Sequence, residues 1–257
     1  MDTEKHAQKL YDELERDVKK QGFKQLFDAH WLRGDFWRRE AYSSMSINVF
    51  LCWADWLFIF VEKVQSDPED YAFETGVLQT DLLAAYGKGV RVKKAIKDTF
   101  SREAQSKARC FVSRHCLNLS TSYFVISMLL DQPGMIDSIT GHKEDMTACM
   151  VRGIQMFTDT VESEDASFLS FAPQILSGIF IGFEQFASFV EYYPSLKEQV
   201  GNSLSCCVEK IVSFYKSSRL QKDKENAKYA CRVAAQIIQG LGDHSAAESY
   251  IKRVDVL

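Results

Sequence analysis

The sequence predicts an all-α protein, an antiparallel multi-helix bundle or short α-solenoid of about nine to eleven helices, read as a single domain over 1–257. Three observations predict it. Only 4 prolines and 13 glycines punctuate 257 residues, too few turn formers for many short strands. Apolar residues recur at three- and four-residue spacing along most of the chain. Hydrophobic residues make up 46% and charged residues 26%, which is enough apolar surface for a buried core and unlike a disordered chain.

Leu10, Leu14 and Val18 define one face of a first helix that ends at Gly22. Phe23, Leu26, Phe27, His30 and Trp31 continue as a second, short helix up to Gly34. Asp35 is placed to cap a third, running toward Val64. Asp67 caps a fourth, with Pro68 in its first turn; it carries Tyr71, Leu78, Leu82 and Tyr86 and stops at Gly87-Lys88-Gly89. Neither proline nor glycine interrupts Val90 to Leu130, which predicts at least two helices with a break near Asp98 to Ser101. Gln132-Pro133-Gly134 is the clearest boundary and a candidate division into 1–131 and 135–257.

In the second half, Met146, Met150, Phe157 and Val161 share a face, and Phe168 to Val190 forms an apolar helix with Pro173 near its first turn. Ser195 and Glu198 match a capping box ahead of Leu196, Val200, Leu204, Cys207, Ile211 and Tyr215. Ala227, Ala230, Cys231, Ala234, Ile237 and Ile238 mark the next helix, closed by Gly240 and Gly242. Ser245 and Glu248 form a capping box for the last, which holds Tyr250, Ile251 and Val254. Across these two helices, Ala235, Ile238, Gly242, Ala247, Ile251 and Val254, with Leu241-Gly242-Asp243 as the turn, resemble a tetratricopeptide helix pair. The repeat's aromatic positions are not matched and no second copy is evident, so an ordinary αα-hairpin remains the alternative. The resemblance implies helical stacking and no particular activity.

The net charge is −4 and the pI about 5.8, without the basic surplus usual in nucleic-acid-binding proteins. The seven cysteines are odd in number and irregularly spaced, which reads as thiols of a reducing compartment. Met1 to Lys20 is charged and amphipathic, with no apolar core of a signal peptide. A cytoplasmic location is the expectation.

Four places could carry chemistry. The apolar segment Met45 to Val61 holds Trp53 and Trp56 around Asp55; it is short for a membrane span, and a mid-span Asp costs about 2.5–3.5 kcal/mol. It predicts a central buried helix or the wall of an apolar ligand pocket. Phe168 to Val190 is the second such wall, with Glu184 as its one charge and Gly178 and Gly182 as a close-packing pair. Third, residues 88–114 carry nine Lys and Arg against Asp98 and Glu103, a local +7 that leaves −11 for the rest. If that helix is continuous, Arg91, Lys94, Arg102 and Arg109 share one stripe, suited to an acidic peptide, a phosphopeptide, an anionic lipid head or RNA. Fourth, Cys110, His115 and Cys116 lie within seven residues, but their spacing and number are wrong for zinc. His115-Cys116 also resembles the start of a cysteine-phosphatase loop, yet Ser122 stands where that loop needs an arginine.

The leading expectation is a non-enzymatic adaptor or scaffold that binds an acidic or phosphorylated protein partner through 88–114. It needs no cofactor and no metal. One alternative is a carrier or sensor of an apolar ligand or membrane surface, using 45–61 and 168–190. Another is an enzyme in which Asp55, Glu184 or His115 converge as buried acid–base groups.

Overall fold

The computed structural model describes residues 2–21, 30, 33–96, 102–132, 135, 145–164, 173–216 and 221–257. Among these residues there is no strand, and nine α-helices of 13 residues or more follow one another. The protein is all-α. It divides into two units, Met1–Met146 and Thr147–Leu257.

The first unit begins with α1, Thr3–Gln21. The proposed short helix at 23–31 lies outside the described residues apart from His30, which is buried with Nε2 3.3 Å from Asp17 Oδ2. A single α-turn, Gly34–Phe36, then runs into a π-helical turn, Trp37–Ala41. No helix runs unbroken from Asp35 to Val64: the π-helical turn ends at Ala41, and α2 spans Ile47–Ser66. Serines cause the interruption by offering the backbone other partners. Ser43 Oγ donates to Glu40 O at 2.9 Å, Ser44 Oγ accepts from Ser46 N at 3.2 Å, and Ser46 caps α2 by accepting from Val49 N at 3.4 Å.

Asp67 does not cap the following helix. It accepts from Lys63 Nζ at 2.8 Å and closes α2, while a 3-10 turn, Glu69–Tyr71, leads into α3, Ala72–Ala95. The expected stop at Gly87-Lys88-Gly89 is absent, because α3 passes straight through it. Gly89 is there for proximity. A Cβ at that position would lie 2.5 Å from Cys116 Sγ and 2.8 Å from the Phe50 ring. Its bare backbone lets α3 sit against both α2 and α4, Arg102–Leu130. Gln79 Nε2 donates to Ser127 Oγ at 2.8 Å, so α3 and α4 run antiparallel, with Gln79 opposite Ser127 and Gly89 opposite Cys116.

The core of this unit is aromatic. Trp37, Trp53, Trp56, Phe50 and Phe60 are buried, and Trp56 stands 6.0 Å from Trp37 and 4.4 Å from Phe60 between ring centroids. Burial of each phenylalanine contributes about 1.5–3 kcal/mol.

The second unit holds α5, Met146–Glu162, α6, Pro173–Ser188, α7, Lys197–Lys216, α8, Gln221–Gly240, and α9, His244–Val256. Phe157, Phe183 and Phe186 meet edge to face with centroids 5.3–6.0 Å apart. The two glycines of α6 differ. A Cβ at Gly182 would reach 2.6 Å from the Phe157 ring, whereas Gly178 faces open space. A 3-10 turn, Pro194–Leu196, precedes α7 in place of a Ser195 cap. Between α8 and α9, Gly242 adopts φ +82°, and Asp243 N donates to Ile238 O at 3.1 Å, a left-handed helix end that suits glycine. Asp243, not Ser245, caps α9 by accepting from Ala246 N at 3.0 Å. These two helices pack against each other as a hairpin, which the repeat-like and the ordinary αα-hairpin readings both expect.

Candidate functional site

The beginnings of α2 and α4 and the end of α3 enclose an open cavity of about 770 Å³. Met45, Ile47 and Leu51 line it from the α2 side, Val92, Ala95 and Ile96 from α3, and Ala104, Ala108 and Phe111 from α4. The three alanines leave space where larger side chains would close the helices together. Met45 and Phe111 are 47% and 51% exposed, so two large apolar groups stand at its edge. Among the described residues the polar lining is Glu4, Ser46, Asn48 and Lys107. Glu4 belongs to α1 but serves α2: it accepts from Asn48 Nδ2 at 2.6 Å and from Ser46 Oγ at 3.2 Å. The first turn of α2 has no acid of its own, and Glu4 supplies the negative charge its N-terminus favours.

The basic stretch is not one stripe. A helix continuous from 88 to 114 would hold Gly89 and Cys116 about 40 Å apart, yet they pack side by side. Arg91 and Lys94 therefore stand on α3, while Arg102 and Arg109 stand on α4, which runs the other way. The Arg102 side chain lies outside the described residues, and Arg109 is half-buried among its own contacts. Arg91 is exposed, stacks over the Tyr42 ring at 4.4 Å and donates to Tyr42 Oη at 3.1 Å. Lys94, Lys107 and Arg114 are exposed and make no ion pair with a described residue.

Lys88, counted with this basic stretch from its sequence position, is fully buried. Its ammonium donates to Tyr42 O at 3.2 Å and has no carboxylate partner among the described residues. Burial, aided by the nearby Arg91 charge, pushes it down to about 8. Seven residues earlier on the same face, Asp81 is also buried and accepts from Arg38 Nε at 3.0 and 3.2 Å. Burial raises the Asp81 carboxyl, and Arg38 only partly offsets this. Sequence reasoning missed both residues. The available signal was register: Leu78, Asp81, Leu82, Ala85, Lys88 and Val92 fall on one helical face, provided the helix crosses Gly87-Lys88-Gly89.

The other predicted site residues sit apart from the cavity. Trp53 and Trp56 belong to the closed aromatic core and line no part of it; the apolar segment contributes only residues between Met45 and Leu51. Asp55 is not a buried carboxylate, since its side chain is 41% exposed. It faces α4, where His115 Nε2 lies 3.0 Å away, and His115 Nδ1 lies 2.9 Å from Phe111 O. Both ring nitrogens thus lie within hydrogen-bond distance of an oxygen. The pair clasps α2 to α4. Glu184 is exposed on α6, in the second unit. Among the described residues no three His, Cys, Asp or Glu side chains converge to hold a metal ion, and no helix is long and apolar enough to cross a membrane.

No protein-family model matches the chain, and no curated protein matches it. Among solved structures, a de novo designed helical repeat protein is similar over 95% of this chain and 98% of its own, at 13% identity and a TM-score of 0.38. That degree of likeness carries no argument about function, and the all-α class rests on the helices of the chain itself.

Proposed function

We propose that this chain is a non-enzymatic helical interaction protein, an adaptor or scaffold of the cytoplasm that docks an acidic protein partner at the joint of α2, α3 and α4. The observation that carries the reading is the open apolar cavity whose α3 and α4 walls come from the most basic stretch of the chain. An apolar cavity with an exposed lysine on its lining suits a partner with acidic and apolar groups. Lys107 stands on the lining, and Arg91 and Lys94 are exposed elsewhere on α3.

The test is affinity capture from the native host, comparing wild type with the triple variant R91E/K94E/K107E. An acidic partner is expected with wild type alone, while the two proteins melt within a few degrees of each other. Equal capture by the variant overturns the reading. A carrier of an apolar small molecule is the second reading, because about 770 Å³ is also the size of a small-ligand site. Native mass spectrometry decides for it if a small mass accompanies the chain and leaves on denaturation.

A further inference from the structure

We propose that α3 carries a self-association face, on which a second copy of this chain packs antiparallel through the same helix. Phe73, Val77, Thr80, Ala84, Gly87 and Arg91 follow one another at alternating four- and three-residue spacing. That spacing draws one seam along an α-helix, the kind of seam on which two helices pack. The opposite side of α3, with Leu78, Leu82, Ala85 and Val92, is buried in the core. The seam faces solvent: Phe73 is 65% exposed, Thr80 and Arg91 are exposed, and Val77, Ala84 and Gly87 are half-buried. A Cβ at Gly87 would meet no heavy atom within 4 Å, and Ala84 beside it is small, so another helix can come close there. None of these six residues lines the cavity, so this face is distinct from the proposed docking site.

Charge decides the occupant. Glu69 and Glu74 stand at the start of the helix, Arg91 and Lys94 near its end, and none of the four makes an ion pair with a described residue. A partner of one sign satisfies one end only. A second copy of α3, laid antiparallel, satisfies both. The two-fold axis then falls between Thr80 and Ala84. Thr80 of each copy faces Ala84 of the other, Val77 faces Gly87, Phe73 faces Arg91, and Lys94 comes beside Glu69. Large side chains thereby meet small or flat ones. Val77 fills the space over Gly87. The Arg91 guanidinium, which lies 4.4 Å over the Tyr42 ring, takes Phe73 of the second copy on its other side. The same patch is used on both copies, so the contact closes as a dimer and does not propagate. The seam from Phe73 to Lys94 is about 32 Å long, enough for several layers of side chains.

The experiment is sedimentation velocity of the full chain across the micromolar concentration range. Wild type is expected to pass from monomer to dimer within it. Gly87→Trp, which blocks close approach, and Phe73→Glu are each expected to weaken the dimer about tenfold or more. Both positions face solvent, and a melting curve read on each variant shows that it folds. The decisive pair is E69K/E74K and R91E/K94E. Each alone carries one sign at both ends of the seam and is expected to stay monomeric. Mixed in equal amounts, they are expected to form a heterodimer. Wild type that stays monomeric throughout overturns the proposal. So does a dimer that survives Gly87→Trp and Phe73→Glu unchanged, or a mixture of the two charge variants that fails to pair. Dimer lost in Gly87→Trp with partner capture retained assigns this face to self-association and leaves the docking reading to its own test.

Discussion

At Lys88, burial and charge oppose each other in a way that can be measured. Unfolded, the amine titrates near 10.4; folded, burial holds it at about 8. Between those values the unfolded chain binds more protons, so the Lys88 contribution to unfolding free energy rises with pH across that window. Below it the full penalty, about 3 kcal/mol, is present, and above it the penalty is gone. Lys88→Met is therefore expected to raise the unfolding free energy near neutral pH and to lose most of that advantage near pH 10, as read by denaturant titration of both proteins. Cys52, which burial pushes up to about 11, has the opposite dependence, but it is common to both proteins and cancels in the difference. A variant less stable than wild type at neutral pH would show that the bond to Tyr42 O outweighs the buried charge. The position of Lys88 on an apolar register was legible in the sequence. Its burial was not, because the two flanking glycines read as a stop.

Those glycines decide the matter at the scale of the element. Gly87 and Gly89 are two residues apart in one helix, yet a Cβ meets nothing within 4 Å at the first and strikes Cys116 and Phe50 at the second. Gly87→Ala is expected to leave stability unchanged or raise it by about 0.5–1 kcal/mol, through lost freedom in the unfolded chain. Gly89→Ala is expected to cost about 1–3 kcal/mol by overpacking. Thermal melts of the two variants give the answer, and equal melting temperatures would remove the close-packing account of α3. Caps show the same limit of local reading. Ser195, Ser245 and Asp67 had the chemistry of caps, but α9 is capped by Asp243, and Asp67 is engaged by Lys63 at the end of α2. Several residues qualify within one turn of each start, and packing of the chain entering the helix selects among them.

Across the whole molecule, the positive charge available to a partner is smaller than the composition of 88–114 suggests. Among the described residues Lys88 and Lys93 are buried, Arg109 is engaged and Arg91 is stacked on Tyr42, while Lys94, Lys107 and Arg114 are exposed without an ion pair to a described residue. Under the proposed function, partner association is expected to weaken with salt as the Debye length shrinks from about 10 Å at 0.1 M to about 3 Å at 1 M. A residue of binding should survive through the apolar cavity. In R91E/K94E/K107E that salt response is expected to vanish or reverse. Binding by wild type that ignores salt altogether, in a titration followed by anisotropy, would remove the electrostatic part of the reading.

By itself the sequence determined the all-α class, the apolar faces of Leu10 to Val18, Met146 to Val161 and Leu196 to Tyr215, and the turn at Leu241-Gly242-Asp243. These follow from local periodicity and backbone preference, which each helix carries within its own residues. Only the tertiary structure decided that α3 crosses its glycines, that Lys88 and Asp81 go inside, that Asp55 meets His115, and that Met45, Ala108 and Phe111 surround one cavity. Each of these depends on the register between helices distant in sequence. That register is set by which side chains interlock at close approach, and no periodicity within one helix encodes it.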